Sequence, residues 1–190
     1  MVNRALGIAA LSCFALPMAA IVMIIYLLDG GGVIFRQERL GKDRRPFCCL
    51  KFRTMRDSGV TLPGRWLRRT GLDELPQLLN IIRGEMAAVG PRAITPADAE
   101  RFGYLMPQPS TRWQVAPGMT GLAQLWGTYT PAEARELDEW YVQNRSFFLD
   151  ARLVLYTLVA NIFGKRYVQP WLRTRHTNPQ TDNEAIDSAH

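Results

Sequence analysis

Histidine and cysteine are scarce in this chain of 190 residues, and each shortage argues against a kind of site. The two histidines, His176 and His190, both lie in the last fifteen residues. A Ser-His-Asp triad and a histidine-rich metal site are therefore disfavoured, and any chemistry must depend on carboxylates, arginine, lysine or cysteine. The three cysteines, Cys13, Cys48 and Cys49, match neither a disulfide framework nor a zinc spacing, which favours a reducing cytosolic face.

The overall composition is that of one ordinary packed domain. Hydrophobic residues make up 47% of the chain and charged residues 21%, which argues against disordered, collagen-like and coiled-coil proteins. Lysine and arginine number 23 against 17 aspartates and glutamates, and the formal net charge is +6. This excess predicts an anionic partner, whether phosphate, lipid headgroup or nucleic acid.

Charge is absent from residues 5–28, a run of 24 apolar or weakly polar residues. About 20 apolar residues cross a hydrocarbon core, so this run predicts a membrane segment. A cleaved signal peptide is disfavoured because the run is too long and no small-x-small site precedes Asp29. Pro17 lies at the midpoint and removes a helical hydrogen bond, which leaves two halves each too short to span alone. A kinked spanning helix and a re-entrant hairpin both satisfy this pattern.

A strongly basic stretch follows at residues 36–69, with eleven basic and three acidic residues. Basic clusters beside a membrane segment attract anionic lipid. Apolar stretches flank the turn-like segment 41–46 and predict a short β-hairpin. Lys51 and Arg53 would then share one strand face, where both could contact a common anion.

The acidic pair Asp73 and Glu74 precedes an apolar-periodic stretch, with Pro76 at a position tolerated only in the first turn of a helix. The pair is therefore expected at a helix N-terminus, where Thr70 and Asp73 also fit a capping box. A functional role is the alternative to capping, because a carboxylate pair among arginines can hold a divalent metal and attack phosphorus. The arginines just upstream are Arg65, Arg68 and Arg69.

The remaining sequence contains weaker signals. Two glycine-proline turns, at residues 89–92 and 117–121, could bind phosphate through Arg92 and exposed backbone amides or simply reverse the chain. Thr130 and Glu133 predict a capping box at the start of a helix. The apolar stretch 149–163 predicts a helix that is either core or lies in the headgroup layer, and the polar residues 171–190 predict a loose tail.

Six motifs in this order resemble the bacterial sugar transferase family, and more narrowly its small monotopic phosphoglycosyl transferases. The resemblance extends from residue 5 to about residue 163. The motifs are Asp29-Gly30-Gly31, Phe35-Arg36-Gln37-Glu38-Arg39-Leu40-Gly41, Lys51-Phe52-Arg53-Thr54-Met55, Leu72-Asp73-Glu74-Leu75-Pro76-Gln77-Leu78, Val89-Gly90-Pro91-Arg92 and Pro117-Gly118-Met119-Thr120-Gly121-Leu122-Ala123-Gln124.

The resemblance implies an α+β fold that is predominantly helical. Residues 1–30 would form a re-entrant membrane helix-break-helix bent at Pro17. Residues 31–170 would form a small cytosolic catalytic domain with a short β-hairpin and an interfacial helix, followed by the polar tail at 171–190. The protein would lie at the bacterial inner (cytoplasmic) membrane, with the catalytic domain on the cytoplasmic face.

The activity implied by the resemblance is transfer of a phosphosugar from a nucleotide diphosphate sugar, taken here as a UDP-sugar, to polyprenyl phosphate. The products would be a polyprenyl diphosphate sugar and UMP, formed with Mg²⁺ through a covalent aspartyl intermediate at the start of glycoconjugate or exopolysaccharide assembly. Partners are then the donor, the acceptor and membrane lipid, and both a monomer and a homodimer stay open.

The residue roles follow the same resemblance. Asp73 would be the nucleophile and the Mg²⁺ ligand, and Glu74 would orient the pair or handle a proton. Lys51, Arg68 and Arg92 would neutralise the remaining charge of the substrate phosphates.

The chain departs from the family pattern at four positions. Family members often have arginine where this chain has Ala116 and Thr128, proline where it has Ala93, and serine where it has Leu16. The two missing cations bear on donor affinity and sugar identity rather than on the reaction class.

The alternative function is that of a non-enzymatic membrane-anchored protein whose basic region binds anionic lipid or nucleic acid. It accounts for the basic stretch and the apolar run. It does not account for Asp73 and Glu74 after three arginines, or for the two glycine-proline turns. The enzyme therefore fits better, and we expect no nucleic-acid partner.

Overall fold

The computed structural model describes residues 2–105, 110–127, 130–170 and 172. Most of the regular structure is helical. The helices are α1 (Val2–Asp29), α2 (Leu62–Thr70), α3 (Gln77–Arg83), α4 (Pro96–Arg101), α5 (Leu122–Trp126), α6 (Pro131–Asn144) and α7 (Phe147–Phe163). The strands are β1 (Ile34–Leu40), β2 (Pro46–Phe52), β3 (Met55–Arg56), β4 (Gly59–Val60), β5 (Ala87–Val89) and β6 (Gly118–Thr120). The predicted mixture of a helical majority with short strands is confirmed.

Helix α1 contains the uncharged run and continues without interruption through Pro17. Pro17 therefore does not end the helix, because a proline removes one hydrogen bond and can kink a helix while the turns on both sides stay intact. The re-entrant course of residues 1–30 stays a prediction. Within the described residues, α1 is the one helix long and apolar enough to cross a membrane by length and composition. Ile21 and Ile25 are buried in the core, whereas Leu16 is 83% exposed.

The predicted β-hairpin is confirmed. Strands β1 and β2 pair antiparallel, with Ile34 opposite Phe52 and Leu40 opposite Pro46. A 3₁₀ turn at Lys42–Arg44 connects them. The buried side chains of β2 join one core with side chains of α1 and α3.

A second core lies beneath the C-terminal helices. Helices α5, α6 and α7 pack there together with strand β5, which pairs in parallel with β6. The predicted capping box at the start of α6 is confirmed, because Thr130 Oγ1 accepts from Glu133 N at 3.2 Å and Thr130 N donates to Glu133 Oε2 at 2.6 Å. Leu172 is buried in this core, and the other residues of the predicted tail lie outside the described residues.

Helix α7 is apolar on two faces. Leu153 and Ala160 are buried against the second core, whereas Leu155, Leu158 and Ile162 are more than half exposed. The sequence left a core helix and a headgroup helix as alternatives. The structure shows a helix with one covered face and one uncovered apolar face.

A buried ion pair lies beside a third core. The buried residues of this core are Leu40, Ile94, Ala99, Tyr104 and Trp113. Arg112 donates from Nη1 to Asp138 Oδ2 at 2.8 Å, and both side chains are at most 4% exposed. The Arg112 guanidinium also lies 4.2 Å from the ring centroid of Tyr104, whose hydroxyl donates to the same carboxylate oxygen. Burial raises the pKa of Asp138 to about 6, against the opposing charge of Arg112.

We expect Arg112→Met to lower the free energy of unfolding by about 3 to 5 kcal/mol, because it leaves a buried carboxylate without its cation. Arg112 lowers the pKa of Asp138, so the variant pKa rises further above the unfolded value. The folded variant then binds a proton that the unfolded chain has lost, and stability falls as pH rises through that interval. The deficit should be larger at pH 8 than at pH 6.

Thermal unfolding in detergent at both pH values measures this effect. The same substitution at Arg101, an exposed residue of α4, is the control. Equal losses in the two variants, or a deficit independent of pH, would contradict the interpretation.

Candidate functional site

The candidate site is centred on an ion pair between Lys51 and Glu74. Lys51 Nζ lies 2.5 Å from Glu74 Oε1, and the two side chains are 25% and 33% exposed. Lys51 comes from β2, and Glu74 from a 3₁₀ turn at Leu72–Glu74. Two of the residues predicted from the sequence are therefore brought into direct contact.

The acidic turn lies between two helices. Helix α2 ends at Thr70 and is followed by Gly71, whose φ of 72° is accessible to glycine with little strain; the 3₁₀ turn comes directly after. Helix α3 begins only after Pro76. The sequence predicted that both carboxylates lie in the first turn of α3. They do not, because the helix begins after Pro76 and the carboxylates precede it.

The predicted capping box at Thr70 is wrong. Thr70 is the last residue of α2, and its hydroxyl donates back to the carbonyls of Trp66 and Leu67. Because Thr70 closes the preceding helix, it cannot cap α3. Asp73 therefore does not form a capping box with Thr70, which favours the alternative that Asp73 has a chemical role.

Burial raises the pKa of Asp73 above its ordinary value, and the neighbouring Glu74 carboxylate raises it further. Lys51 and Arg68 act in the opposite direction. Asp73 is therefore a half-buried carboxylate whose charge depends on nearby cations. Arg68 also donates from Nε to Thr54 Oγ1 at 2.8 Å, which fixes it beside the turn. Arg65 and Arg69, from the same helix, are exposed.

A cleft lies beside the ion pair. Its cationic lining comes from three separate parts of the chain: Arg39 on β1, Lys51 on β2 and Arg92 after β5. Glu74 also lines it. Asp73 is not among its described lining residues and lies one position earlier on the same turn, where a 3₁₀ geometry directs neighbouring side chains about 120° apart.

The two glycine-proline turns meet at the edge of this cleft. Gly118 N donates to Pro91 O at 2.9 Å, and Gly90 N donates to Thr120 O at 3.0 Å. A Cβ on Gly118 would lie 2.1 Å from Gly90 N, so this close approach requires glycine. The expectation of exposed phosphate-binding amides in the 117–121 turn is wrong for Gly118 N, because this group donates to the 89–92 turn.

Sequence reasoning did not assign Arg39, Gln124 or Lys165 to a site. Arg39 and Gln124 line the cleft, and Lys165 contacts Gln124 O from outside its lining. Arg39 is held by Ala93 O at 3.1 Å and by Gln37 Oε1 at 2.5 Å. Arg39 was not predicted as a site residue because it lies far along the chain from the acidic turn. Lys51 and Arg53 do not share an anion site here, because Lys51 contacts Glu74 while the Arg53 guanidinium lies beside Gly32.

Asn80 holds the acidic turn in register with strand β2. Its side chain is fully buried; Oδ1 accepts from Leu50 N at 3.1 Å, and Nδ2 donates to Cys48 O at 2.7 Å. Nδ2 also donates to Glu85 Oε2 at 2.6 Å. Because Leu50 precedes Lys51, these bonds set the distance between Lys51 and the turn that precedes α3.

The carboxylates suit a magnesium ion shared with a substrate. Among the described residues there is no group of three or more histidine, cysteine, aspartate or glutamate side chains that could hold a metal. Mg²⁺ usually binds through one or two carboxylates, with water and substrate phosphates completing its shell. Asp73 and Glu74 are a donor pair of that kind, although Glu74 is already paired with Lys51.

Comparison with known proteins identifies the family. The model of the family described as Bacterial sugar transferase matches residues 1–164. The sugar transferase EpsL of Bacillus subtilis (strain 168), named as uncharacterized, is 36% identical over 166 residues, which cover 80% of this chain and 81% of the relative. The chain belongs to the bacterial sugar transferase family and is thus a member of a family of transferases.

Two further relatives carry more specific names. The UDP-galactose-lipid carrier transferase of Erwinia amylovora is 34% identical over 189 residues, which cover 80% of this chain and 38% of the relative. The UDP-glucose:undecaprenyl-phosphate glucose-1-phosphate transferase of Caulobacter vibrioides is 36% identical over 181 residues, which cover 82% of this chain and 68% of the relative. The chain therefore spans less than half of the Erwinia protein.

We expect Asn80→Asp to lower the free energy of unfolding by about 2 to 4 kcal/mol, because a carboxylate oxygen would replace the donor facing Cys48 O and Glu85. Asn144→Asp is the matched control, since Asn144 is exposed and its side chain donates to Trp140 O within its own helix. The control should cost less than about 1 kcal/mol. Chemical denaturation of both variants measures the difference, and equal costs would refute the structural role of Asn80.

Proposed function

We propose that this protein transfers a phosphosugar from a UDP-sugar to polyprenyl phosphate, giving a polyprenyl diphosphate sugar and UMP. The observation that carries the proposal is the carboxylate pair Asp73 and Glu74 beside a cleft with three cationic side chains. The names of the Erwinia and Caulobacter relatives supply the substrate classes.

The reaction has two displacements at one phosphorus atom. In the first, an Asp73 carboxylate oxygen forms a bond to the sugar-bearing phosphorus, and the bond to the leaving UMP oxygen breaks with its electron pair. In the second, a phosphate oxygen of polyprenyl phosphate bonds to that phosphorus and the Asp73–phosphorus bond breaks. Asp73 ends as a carboxylate, ready for another donor.

Charge neutralisation is the main contribution of the surrounding residues. Phosphoryl transfer depends on positioning and on stabilising the charge of the phosphate oxygens. Lys51, Arg92 and Arg39 line the cleft and can bind these oxygens, while Arg68 lies beside Asp73. Mg²⁺, when bound by Asp73 with help from Glu74, supplies further neutralisation of the diphosphate.

Glu74 orients the site through its contact with Lys51. The contact holds the lysine ammonium at the cleft and keeps the Glu74 carboxylate near Asp73. Loss of Glu74 would therefore affect both a phosphate-binding cation and the carboxylate pair.

Helix α1 is proposed to enter and leave the inner membrane of a bacterium from its cytoplasmic face. Both ends of α1 contact the same domain: Arg4 Nη2 lies 3.5 Å from Arg83 O, while Ile25 near the other end is buried in the core. A Cβ on Gly7 would lie 3.0 Å from the Ile82 side chain, so the N-terminal half packs closely on α3. A spanning helix would separate Arg4 from Arg83 by the bilayer.

The uncovered apolar surface supports the same location. Helix α2 contacts both α1 and α7. Leu62 and Trp66 on α2 are 76% and 52% exposed, and the exposed side of α7 adds Leu155, Leu158 and Ile162. Tryptophan is enriched at the membrane–water interface, so this surface suits the headgroup layer.

We expect Asp73→Asn to lower turnover about a thousandfold or more, because an amide cannot replace a carboxylate nucleophile. Glu74→Gln should also lower turnover. Asp57→Asn, in an exposed turn, should leave turnover unchanged. UMP release from a panel of UDP-sugars with polyprenyl phosphate and Mg²⁺ measures the rate.

The covalent step has its own readout. Wild-type protein incubated with a sugar-labelled donor, and without acceptor, should retain label that later moves into lipid when polyprenyl phosphate is added. An unlabelled protein under conditions where turnover occurs, or an active Asp73→Asn variant, would assign Asp73 a different role.

The topology has a separate test. Asn3→Cys and Asp57→Cys should both resist a membrane-impermeant thiol reagent in intact cells and react after lysis, because both sites are proposed to face the cytoplasm. Labelling of position 3 in intact cells while position 57 stays protected would establish a spanning helix and reject the re-entrant arrangement.

A further inference from the structure

Lys165 reaches the candidate site from the far C-terminal side of the described chain. It follows α7 after Gly164, whose φ of 97° redirects the backbone. Lys165 Nζ donates to Gln124 O at 2.8 Å, and Gln124 lines the cleft that also contains Glu74 and Arg92. A residue from the end of α7 is therefore placed beside the proposed reaction centre.

The charge of Lys165 is available to an anion. Burial and the neighbouring Arg92 lower the pKa of Lys165, while Glu74 raises it, so the ammonium lies near both residues. Lys51 is already paired with Glu74. In the described part of the chain, Lys165 and Arg92 have no carboxylate oxygen within 4.0 Å. These two cations need an anionic partner more than Lys51 does.

An apolar surface leads to the same point. Leu158, Ile162 and Phe163 lie on the C-terminal part of α7 and are 55%, 73% and 61% exposed. The Phe163 ring meets that of Tyr167, on the other side of Lys165, with centroids 6.3 Å apart. A cation with apolar side chains before and after it matches a ligand that has a phosphate joined to a hydrocarbon chain. A nucleotide sugar has no such chain.

We propose that Lys165 binds the phosphate of the polyprenyl phosphate acceptor while the first part of its hydrocarbon chain lies on the exposed apolar residues Leu158, Ile162 and Phe163. This inference rests on the proposed function and assigns the acceptor to one side of the cleft. The donor diphosphate then occupies the side of Lys51 and Arg39. Arg92, between the two, contacts both substrates.

Lys165→Met tests the assignment. A charge-assisted hydrogen bond is worth about 1.5 to 3 kcal/mol, so the KM for polyprenyl phosphate should rise roughly ten- to a hundredfold. The first displacement, measured as UMP release without acceptor, should change less than about threefold, because it does not involve the acceptor phosphate. Lys165→Arg should restore most of the acceptor affinity. Arg166→Met is the matched control, since Arg166 lies over the Tyr167 ring.

Binding provides a readout that is independent of turnover. Polyprenyl phosphate should raise the unfolding temperature of the wild type in detergent more than polyprenol does, and Lys165→Met should abolish that difference. An unchanged acceptor KM, an equal loss in both displacements, or equal responses to the phosphate and the alcohol would overturn the inference. A wild type that binds polyprenyl phosphate but releases no UMP from any UDP-sugar would instead reject the proposed function.

Ile162→Ser separates the acceptor from the membrane as the occupant of the apolar residues. The inference expects a higher acceptor KM with membrane association retained through α1. Reduced membrane association at an unchanged acceptor KM would show that this surface binds bilayer lipid and would overturn the placement of the hydrocarbon chain.

Discussion

The packing of strand β2 against the segment 72–83 is the constraint on which the site depends. Asn80 binds the backbone of β2 at two positions, Cys48 O and Leu50 N, and Lys51 then faces Glu74. A polar side chain with no exposure can do this only when its hydrogen bonds are made, because an unpaired buried amide is costly. The register of α3 on the hairpin therefore determines the distance between the first cation and the carboxylate pair.

Cationic side chains outnumber carboxylates among the described lining residues of the cleft, because the fold brings cations from separate parts of the chain together. The Lys51–Glu74 pair cancels one cation, but Arg39 from β1 and Arg92 from the turn after β5 also line the cleft. Lys165, after the end of α7, contacts the lining residue Gln124. Asp73 is half-buried nearby, where burial and Glu74 raise its pKa while Lys51 and Arg68 lower it. The proposed diphosphate would pair with Arg39 and Arg92, while Lys51 and Arg68 favour the ionised Asp73 carboxylate.

The sequence predicted those features that depend on local pattern. Alternation around residues 41–46 located the hairpin, and the spacing of Thr130 and Glu133 located the start of α6. Thr70 was misassigned because a threonine can close one helix or cap the next, and only the position of Gly71 decides which. The pairing of the two glycine-proline turns could not be predicted either, because the contact between residues 90 and 120 is not marked by any local sequence pattern.

The proposed acceptor side of the cleft could not be predicted from the sequence, because it depends on a contact between distant residues. Gln124 and Lys165 lie 41 positions apart, and nothing local marks the carbonyl that Lys165 contacts. Their proximity depends on α7, whose covered face packs on the second core while its exposed apolar face continues the surface of α1 and α2. A lipid phosphate held at the bilayer surface can reach a cation only at the edge of such a surface. Lys165 follows the end of this helix, so the helix proposed to contact lipid would also position the proposed phosphate-binding group.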